Sequence, residues 1–373
     1  MRILLVANVA KEHVRKFHIP YITFMKEQGH SVDVACRMDE PIPECDTAFD
    51  LPCNRNPFNG GLRKSIKMLR KIIEDNNYDV VICNTLTGSI IARGAAIFLG
   101  KKMPKLYYIV HGLHFFEGAP VTRWIIGYPT EWILSHFTDT IITVNEADYL
   151  MAKKRLKAKE VLKINGIGCD LDYFRGFELT EEVRHALRQS FGVDDDDLML
   201  IYVAEINDNK NQMMLVEAFK RVKETISNSK LVLVGPEHDS EAIRRRVSEY
   251  KLEDDVVFTG WRDDIAALLK TSDIYVASSK SEGLPINILE AMACGLPVVA
   301  RENRGHNEII DNGSNGFIVT KEDAVTMADR IIKLANDDDL RRDFSQQGQL
   351  DIEKYDVLNV IKQIKNILVN EFK

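Results

Sequence analysis

Ser278-Ser-Lys-Ser-Glu-Gly-Leu-Pro-Ile-Asn-Ile-Leu-Glu-Ala-Met-Ala-Cys-Gly-Leu-Pro-Val-Val-Ala300 is the stretch that decides the fold class. An apolar run, Asp273–Ala277, precedes it and reads as a strand. Gly283 and Pro285 mark a loop, and the spacing predicts a helix from about Pro285 to Cys294. Proline at the first helical turn and Gly295 just past the end are the expected boundary signals. Pro297–Ala300 is the next apolar strand. Strand, loop, helix and strand in this order make a parallel βαβ unit.

The same alternation continues in both directions along the chain. Further strand candidates in the second half are Leu198–Ala204, Lys230–Val234, Val256–Thr259 and Phe317–Val319. The first half offers Arg2–Ala7, Ser31–Cys36, Asp79–Cys83, Lys105–Val110, Thr138–Val144 and Val161–Ile164. Most are continuous apolar runs, as strands covered by helices on both faces should be. Two βα series imply two doubly wound α/β domains. Their limits are expected at 1–175 and 190–350, with a polar linker near 170–195; Thr180 to Asp197 contains a helix and then the acidic run Asp194–Asp197. The final segment, Asp351–Phe372, has apolar residues at helical spacing, and its helix (about 355–373) is assigned to the first domain.

Composition narrows the class. The 373 residues are 45% hydrophobic and 28% charged, the balance of a soluble globular protein of two domains. A net charge of -7 argues against a nucleic-acid partner, which requires a surplus of Lys and Arg. No apolar run reaches the roughly 18 residues of a membrane span, and MRILLVAN at the start reads as a strand rather than a signal peptide. Six scattered cysteines without a Cys-x-x-Cys pair point to free thiols in a reducing cytoplasm.

The chemistry concentrates around the opening stretch. The predicted helix start carries unpaired N–H groups and partial positive charge, which suit a diphosphate. Glu282 and Glu290 flank that start, and a carboxylate can accept hydrogen bonds from two neighbouring hydroxyls. A ligand with a diol on either side of a diphosphate, a ribose and a hexose, fits this arrangement.

Glu282-Gly-Leu-Pro-Ile-Asn-Ile-Leu-Glu290 with its Ala-Cys-Gly-Leu-Pro-Val close resembles the E-x7-E motif of glycosyltransferase family 4, and the likeness runs the length of the chain. The resemblance implies the GT-B fold, two Rossmann-like domains facing across a cleft, and a retaining transfer from a nucleotide diphosphate sugar. It places Glu282 on the donor sugar, Glu290 on the ribose, and the backbone of Gly283, Leu284, Pro285, Ile286 and Asn287 on the diphosphate. Lys210 matches a lysine that the family sets on the diphosphate, but Glu205 stands where an arginine is expected. His111, opening His-Gly-Leu-His-Phe-Phe-Glu-Gly-Ala-Pro120, matches the family's active-site histidine, with His114 as second candidate. That string is similar to a bacterial subgroup that builds capsule, exopolysaccharide and other lipid-linked surface glycans. Trp261 and Arg262 fall where the family holds the nucleobase, and Trp261 reads equally as a packing residue.

The expected function is therefore transfer of a hexose or N-acetylhexosamine, from a donor with uridine as the base, to a glycan or a polyprenyl-diphosphate-linked acceptor. The first domain would bind the acceptor and the second the nucleotide sugar. No cofactor and no metal are expected, because nothing resembles an Asp-x-Asp site at the diphosphate. The segment 62–73 carries Arg63, Lys64, Lys67, Arg70 and Lys71 on one face, which fits peripheral contact with an anionic membrane on its cytoplasmic side or an ordinary solvated helix. The alternatives are a non-catalytic nucleotide-sugar sensor, which Glu205 favours, and another GT-B enzyme such as a sugar-nucleotide epimerase. A NAD-dependent dehydrogenase is excluded at the phosphate site, since neither first-strand loop contains G-x-G-x-x-G.

Overall fold

A computed structural model describes residues 1–54 and 60–370. The chain divides into two compact units, one of Met1–Gly168 with the C-terminal segment from Val357, the other of Cys169–Asp356.

The first unit is built on β1 (Arg2–Val9), β2 (Ser31–Arg37), β3 (Ala48–Asp50), β4 (Val80–Asn84), β5 (Lys105–Val110), β6 (Thr140–Thr143) and β7 (Glu160–Lys163). They form a seven-stranded parallel sheet in the order β3-β2-β1-β4-β5-β6-β7. The second unit has β8 (Leu198–Val203), β9 (Ser229–Val234), β10 (Val256–Gly260), β11 (Ile274–Ala277), β12 (Val298–Arg301) and β13 (Gly316–Val319), ordered β10-β9-β8-β11-β12-β13. The central strands β1, β4, β8, β11 and β12 are buried along nearly their whole length, which is why they read as unbroken apolar runs. β3 escapes the sequence reading. It is three residues long, lies at the sheet edge and is partly exposed.

Each sheet reverses its strand order once, between β1 and β4 in the first unit and between β8 and β11 in the second. In open parallel sheets, ligands bind beyond the carboxyl ends of the strands at such a reversal. The loops that matter are therefore those after β1 and β4, and after β8 and β11.

Three sequence-based boundaries are corrected. The change of unit falls at Gly168 rather than 175. The helix expected between Thr180 and Asp197 is Glu181–Ser190, but with the helix Leu171–Gly176 it lies within the second unit, so the segment 170–195 is no free linker. Buried Arg188 donates to the carbonyls of Asp194, Asp197 and Thr271, so the acidic run is pinned by its backbone. The last helix begins at Val357, because Ile352–Tyr355 form a separate 3-10 turn in the second unit; Phe372 lies outside the described residues. Val360, Ile361, Ile364 and Leu368 are the buried face of that helix, which packs on the helix Ile19–Glu27 of the first unit. Asn165 N–H donates to its Gln363 Oε1 at 3.1 Å.

Candidate active site

The loops after β8 and β11 are stitched together by short-range polar bonds. Lys280 N–H donates to the Asn209 carbonyl at 2.7 Å, Asn209 Nδ2 to the Ser281 carbonyl at 3.2 Å, and Ser278 Oγ to the Lys210 carbonyl at 2.7 Å. This fixes Lys210 opposite Glu282, with Nζ 2.7 Å from Oε1. Both side chains are largely enclosed, at 22% and 17% exposure. Burial alone would drive the Lys210 ammonium towards neutrality, but the charges of Glu282 and Glu205 hold it above the ordinary lysine value. Burial likewise acts to raise the Glu282 carboxyl, and Lys210 more than offsets it, leaving the group below its usual range. The pair is ionised, and it stands where the strand order reverses.

The helix after this loop runs Ile286–Ala293 with Pro285 as N-cap, one residue later than the spacing predicts. Pro285 offers no side-chain cap, and Ile288 N–H is taken by Asn287 Oδ1 at 3.0 Å, so the N–H groups of Ile286 and Asn287 are the ones suited to an anion at the helix start. Asn287 anchors the turn: its Nδ2 donates to the Val203 carbonyl at the end of β8, at 2.8 Å. Its side chain is thus structural, and a ligand would meet the turn through backbone. Glu290 lies on the same helix, and burial pushes its carboxyl up to about 7, with no cation or hydrogen bond among the described residues holding it down. Gly295 ends the helix at φ +87, a left-handed conformation that favours glycine.

The loop after β12 was not legible as part of the site. Asn303 caps the helix Arg304–Ile309 and its Nδ2 donates to the Ser279 carbonyl at 2.8 Å. This brings Gly305 so close that an added Cβ would lie 2.9 Å from Glu282 Cβ and 3.0 Å from the Gly283 carbonyl oxygen. His306 follows, buried and neutral, its pKa lowered to about 4 mainly by burial, with Nδ1 2.6 Å from the Arg301 carbonyl. The only sequence signal is a small residue beside a histidine, which is too common to single out. Trp261, just past β10, is 60% exposed, which fits a stacking surface better than a core residue. Arg262 is engaged by Asp264 through two bonds, Nε–Oδ1 at 2.8 Å and Nη2–Oδ2 at 2.5 Å.

In the first unit His111 stands at the end of β5, partly buried, with Nε2 3.3 Å from Asn84 Oδ1 at the end of β4. Burial lowers its pKa to about 4, so the ring is neutral at pH 7. The next residue after Asn84, Thr85, adopts φ +63, a strained conformation for a β-branched residue and one that concentrates at functional sites. His114, by contrast, is exposed. The structure thus groups Lys210, Glu282, the Gly283–Asn287 turn and Glu290 in the second unit, and sets His111 beside Asn84 in the first.

With the fold and these side chains in place, the class is a glycosyltransferase of the GT-B fold. The model "Glycosyl transferases group 1" matches residues 183–351, and "Glycosyl transferase 4-like" matches residues 2–145. The chain is 36% identical over 370 residues to the protein named "Putative glycosyltransferase EpsD" of Bacillus subtilis (strain 168), covering 98% of this chain and 96% of that one. It is 26% identical to the UDP-Gal:alpha-D-GlcNAc-diphosphoundecaprenol alpha-1,3-galactosyltransferase of Escherichia coli, covering 82% and 79% of the two chains. The crystal structure of Anabaena Alr3699/HepE in complex with UDP and glucose superposes with a TM-score of 0.81 at 20% identity, covering 99% and 100%. The protein belongs to the glycosyltransferase family that these models describe.

Proposed function

We propose that the protein is a retaining, metal-independent glycosyltransferase that moves a hexose or N-acetylhexosamine from a UDP-sugar to a polyprenyl-diphosphate-linked or glycan acceptor in surface polysaccharide synthesis. The observation that carries this reading is the ionised Lys210–Glu282 pair at the β8/β11 reversal, beside the helix start at Pro285 and the buried Glu290. Lys210 and the helix N–H groups stabilise the charge that develops on the departing diphosphate, which is the main electrostatic task of such a transfer. Glu282 orients the donor sugar, and Glu290 accepts from the ribose hydroxyls. His111, kept neutral by burial, contacts the transferred sugar without adding charge. Trp261 offers a face to the base, and Arg262 shapes that edge through its bond to Asp264.

The donor and acceptor classes draw support from relatives. The E. coli protein is named for UDP-Gal and a diphosphoundecaprenol acceptor, and the Anabaena structure holds UDP and glucose. Contact with a membrane surface fits the first unit, although not in the form the sequence suggests. The apolar side of the helix Leu62–Asn76 is turned inward through Leu69 and Ile73, leaving outside a charged face of Arg63, Lys64, Lys67, Arg70 and Lys71 with Glu74 and Asp75 at its end. Exposed apolar residues come instead from the helix Val121–Ser135, at Val121, Ile125, Ile126 and Ile133, and from Ile97 and Phe98 of the helix Leu86–Leu99. The helix Leu86–Leu99 packs against both of the others, so basic and apolar surfaces are neighbours. No helix among the described residues is long and apolar enough to cross a membrane.

A second reading, a nucleotide-sugar sensor, is favoured by Glu205, a second carboxylate near the one lysine meant for phosphate. The deciding experiment is a thermal-shift and hydrolysis screen against a panel of nucleotide sugars, with Glu290→Ala and Lys210→Ala alongside. A donor that stabilises the wild type but neither variant, and is slowly hydrolysed, establishes the transferase. Stabilisation without turnover, even with lipid-linked acceptors, selects the sensor.

A further inference from the structure

The segment after β1 contains an irregularity that the transferase reading does not use. Ala10–Val14 is a single π-helical turn, a feature frequent at functional sites, and it carries His13. His18 follows five residues later. On a regular α-helix, residues five apart point about 140° away from each other. Here the widened turn and the short helix Arg15–Phe17 fold the rings together, with the two Nε2 atoms 3.0 Å apart. His111 arrives from the end of β5, its ring centroid 4.9 Å from that of His13 and 6.0 Å from that of His18.

One ring nitrogen from each of the three histidines lies within 4.8 Å of the others. A tetrahedral zinc ion with its usual bonds to imidazole needs ligand nitrogens about 3.3 Å apart. The His13 and His18 nitrogens, 3.0 Å apart, already stand near that value. His18 is buried, and His111 is held by Asn84, a fully buried residue whose Nδ2 has no hydrogen-bond partner. A fixed ring with a second polar group behind it is the arrangement that orients metal-ligating histidines.

We propose that His13, His18 and His111 form a binding site for a divalent transition-metal ion of the zinc class, and that an ion there withdraws His111 from the donor sugar and inhibits transfer. Three protein ligands leave a fourth position for water. The inhibitory half rests on the reading of His111 given above; ion binding itself does not. The site is separate from any metal requirement: activity is expected to survive chelation and to fall when the ion is supplied.

The test is a titration of the tag-free full chain with Co2+, followed by its visible absorption, with Zn2+ as displacing ion. One Co2+ per chain with the bands of a four-coordinate site is expected. Affinity should fall by at least ~10-fold in both His13→Gln and His18→Asn. His185→Gln, which removes a surface histidine paired with Asp195, should bind as the wild type does. Melting curves check that each variant is folded, and His13→Gln decides alone should the buried substitution unfold the first unit. No bound Co2+, or binding untouched by both substitutions, overturns the site. Zn2+ inhibition over the same concentration range as binding carries the regulatory half. Binding with undiminished transfer overturns that half and leaves the transferase intact. Absence of transfer with every donor, chelator included, strikes the transferase reading while the Co2+ titration still judges the site.

Discussion

Lys210 faces two carboxylates, one at 2.7 Å in Glu282 and a second in Glu205, and its behaviour will show how far the site tolerates an acidic residue in place of an arginine. Lys210→Ala should lower kcat by about 10²–10³, the usual loss when one preorganised charge donor is removed from a developing anion. Steady-state kinetics with the donor found by the screen would check this, and a drop below tenfold would mean that the helix start carries the leaving group by itself. Glu290 makes a pH prediction with a definite sign. Its carboxyl in the free protein sits near 7, so it is charged above and neutral below that value. Only the carboxylate accepts from both hydroxyls of a diol. Donor affinity should therefore weaken as pH falls from 8 to 6, by up to about tenfold per unit for one linked proton. Calorimetry on Glu290→Gln should show weaker binding with a flat profile. An equally steep profile in that variant would assign the proton to another group.

At the scale of elements, the site depends on how closely three loops pack. Gly305 begins the second turn-forming position of the helix Arg304–Ile309 and touches the backbone that carries Glu282 and Gly283. Gly305→Ala adds one carbon where 2.9 Å is available, too little for any real contact. The loop must shift, at a cost of about 1–3 kcal/mol in stability. A displacement approaching 1 Å at Glu282 would cost up to roughly 10² in kcat. Thermal unfolding and kcat measured on the same sample test both, and a variant with wild-type kcat would show that Glu282 need not be held so tightly. In the first unit, the counterpart is Gly88, where a Cβ would lie 2.9 Å from Ala7 Cα. That close approach seats the helix Leu86–Leu99 directly on β1 and so fixes the ends of β1 and β4 together.

For the whole molecule, pH and membrane contact give the tests. His18, His111 and His306 all have folded pKa values below the ordinary 6.5, at about 3, 4 and 4. Between those values and 6.5 the unfolded chain binds more protons, so stability is lost as pH falls through this window. Glu290 acts in the opposite sense: its folded value of about 7 exceeds the ordinary 4.5, and its protonation favours the folded state as pH falls. Three histidines outweigh one carboxyl, and denaturant unfolding should become easier from pH 7 to pH 5.5. Stability that rises over that range would contradict the buried, neutral state of the histidines. At the surface, Ile125→Glu with Ile126→Glu should reduce sedimentation with anionic vesicles by about tenfold, since each loses a large apolar contact and adds repulsion. Unchanged sedimentation would move the membrane face elsewhere.

The two parallel sheets were legible from the sequence because buried strands must be apolar on both faces, and the Glu, Gly and Pro signals within the fourteen residues Glu282–Gly295 define the main loop and helix. Lys210, Glu282, Glu290 and His111 could be named for the same reason: their neighbours form contiguous motifs. What the sequence could not supply were relations between distant segments. Gly305 against Glu282, Asn84 behind His111, and His13 folded onto His18 each join residues with no shared period or motif. The extent of the linker and the inward turn of the apolar face on Leu62–Asn76 were likewise settled by packing, through Arg188 and through Leu69 and Ile73. Local pattern thus determined the elements and the chemistry of the main loop, because both are encoded in adjacent residues. Which side chains are buried and which are paired was set by the packing of the whole chain, because desolvation and charge depend on what distant segments place around each group.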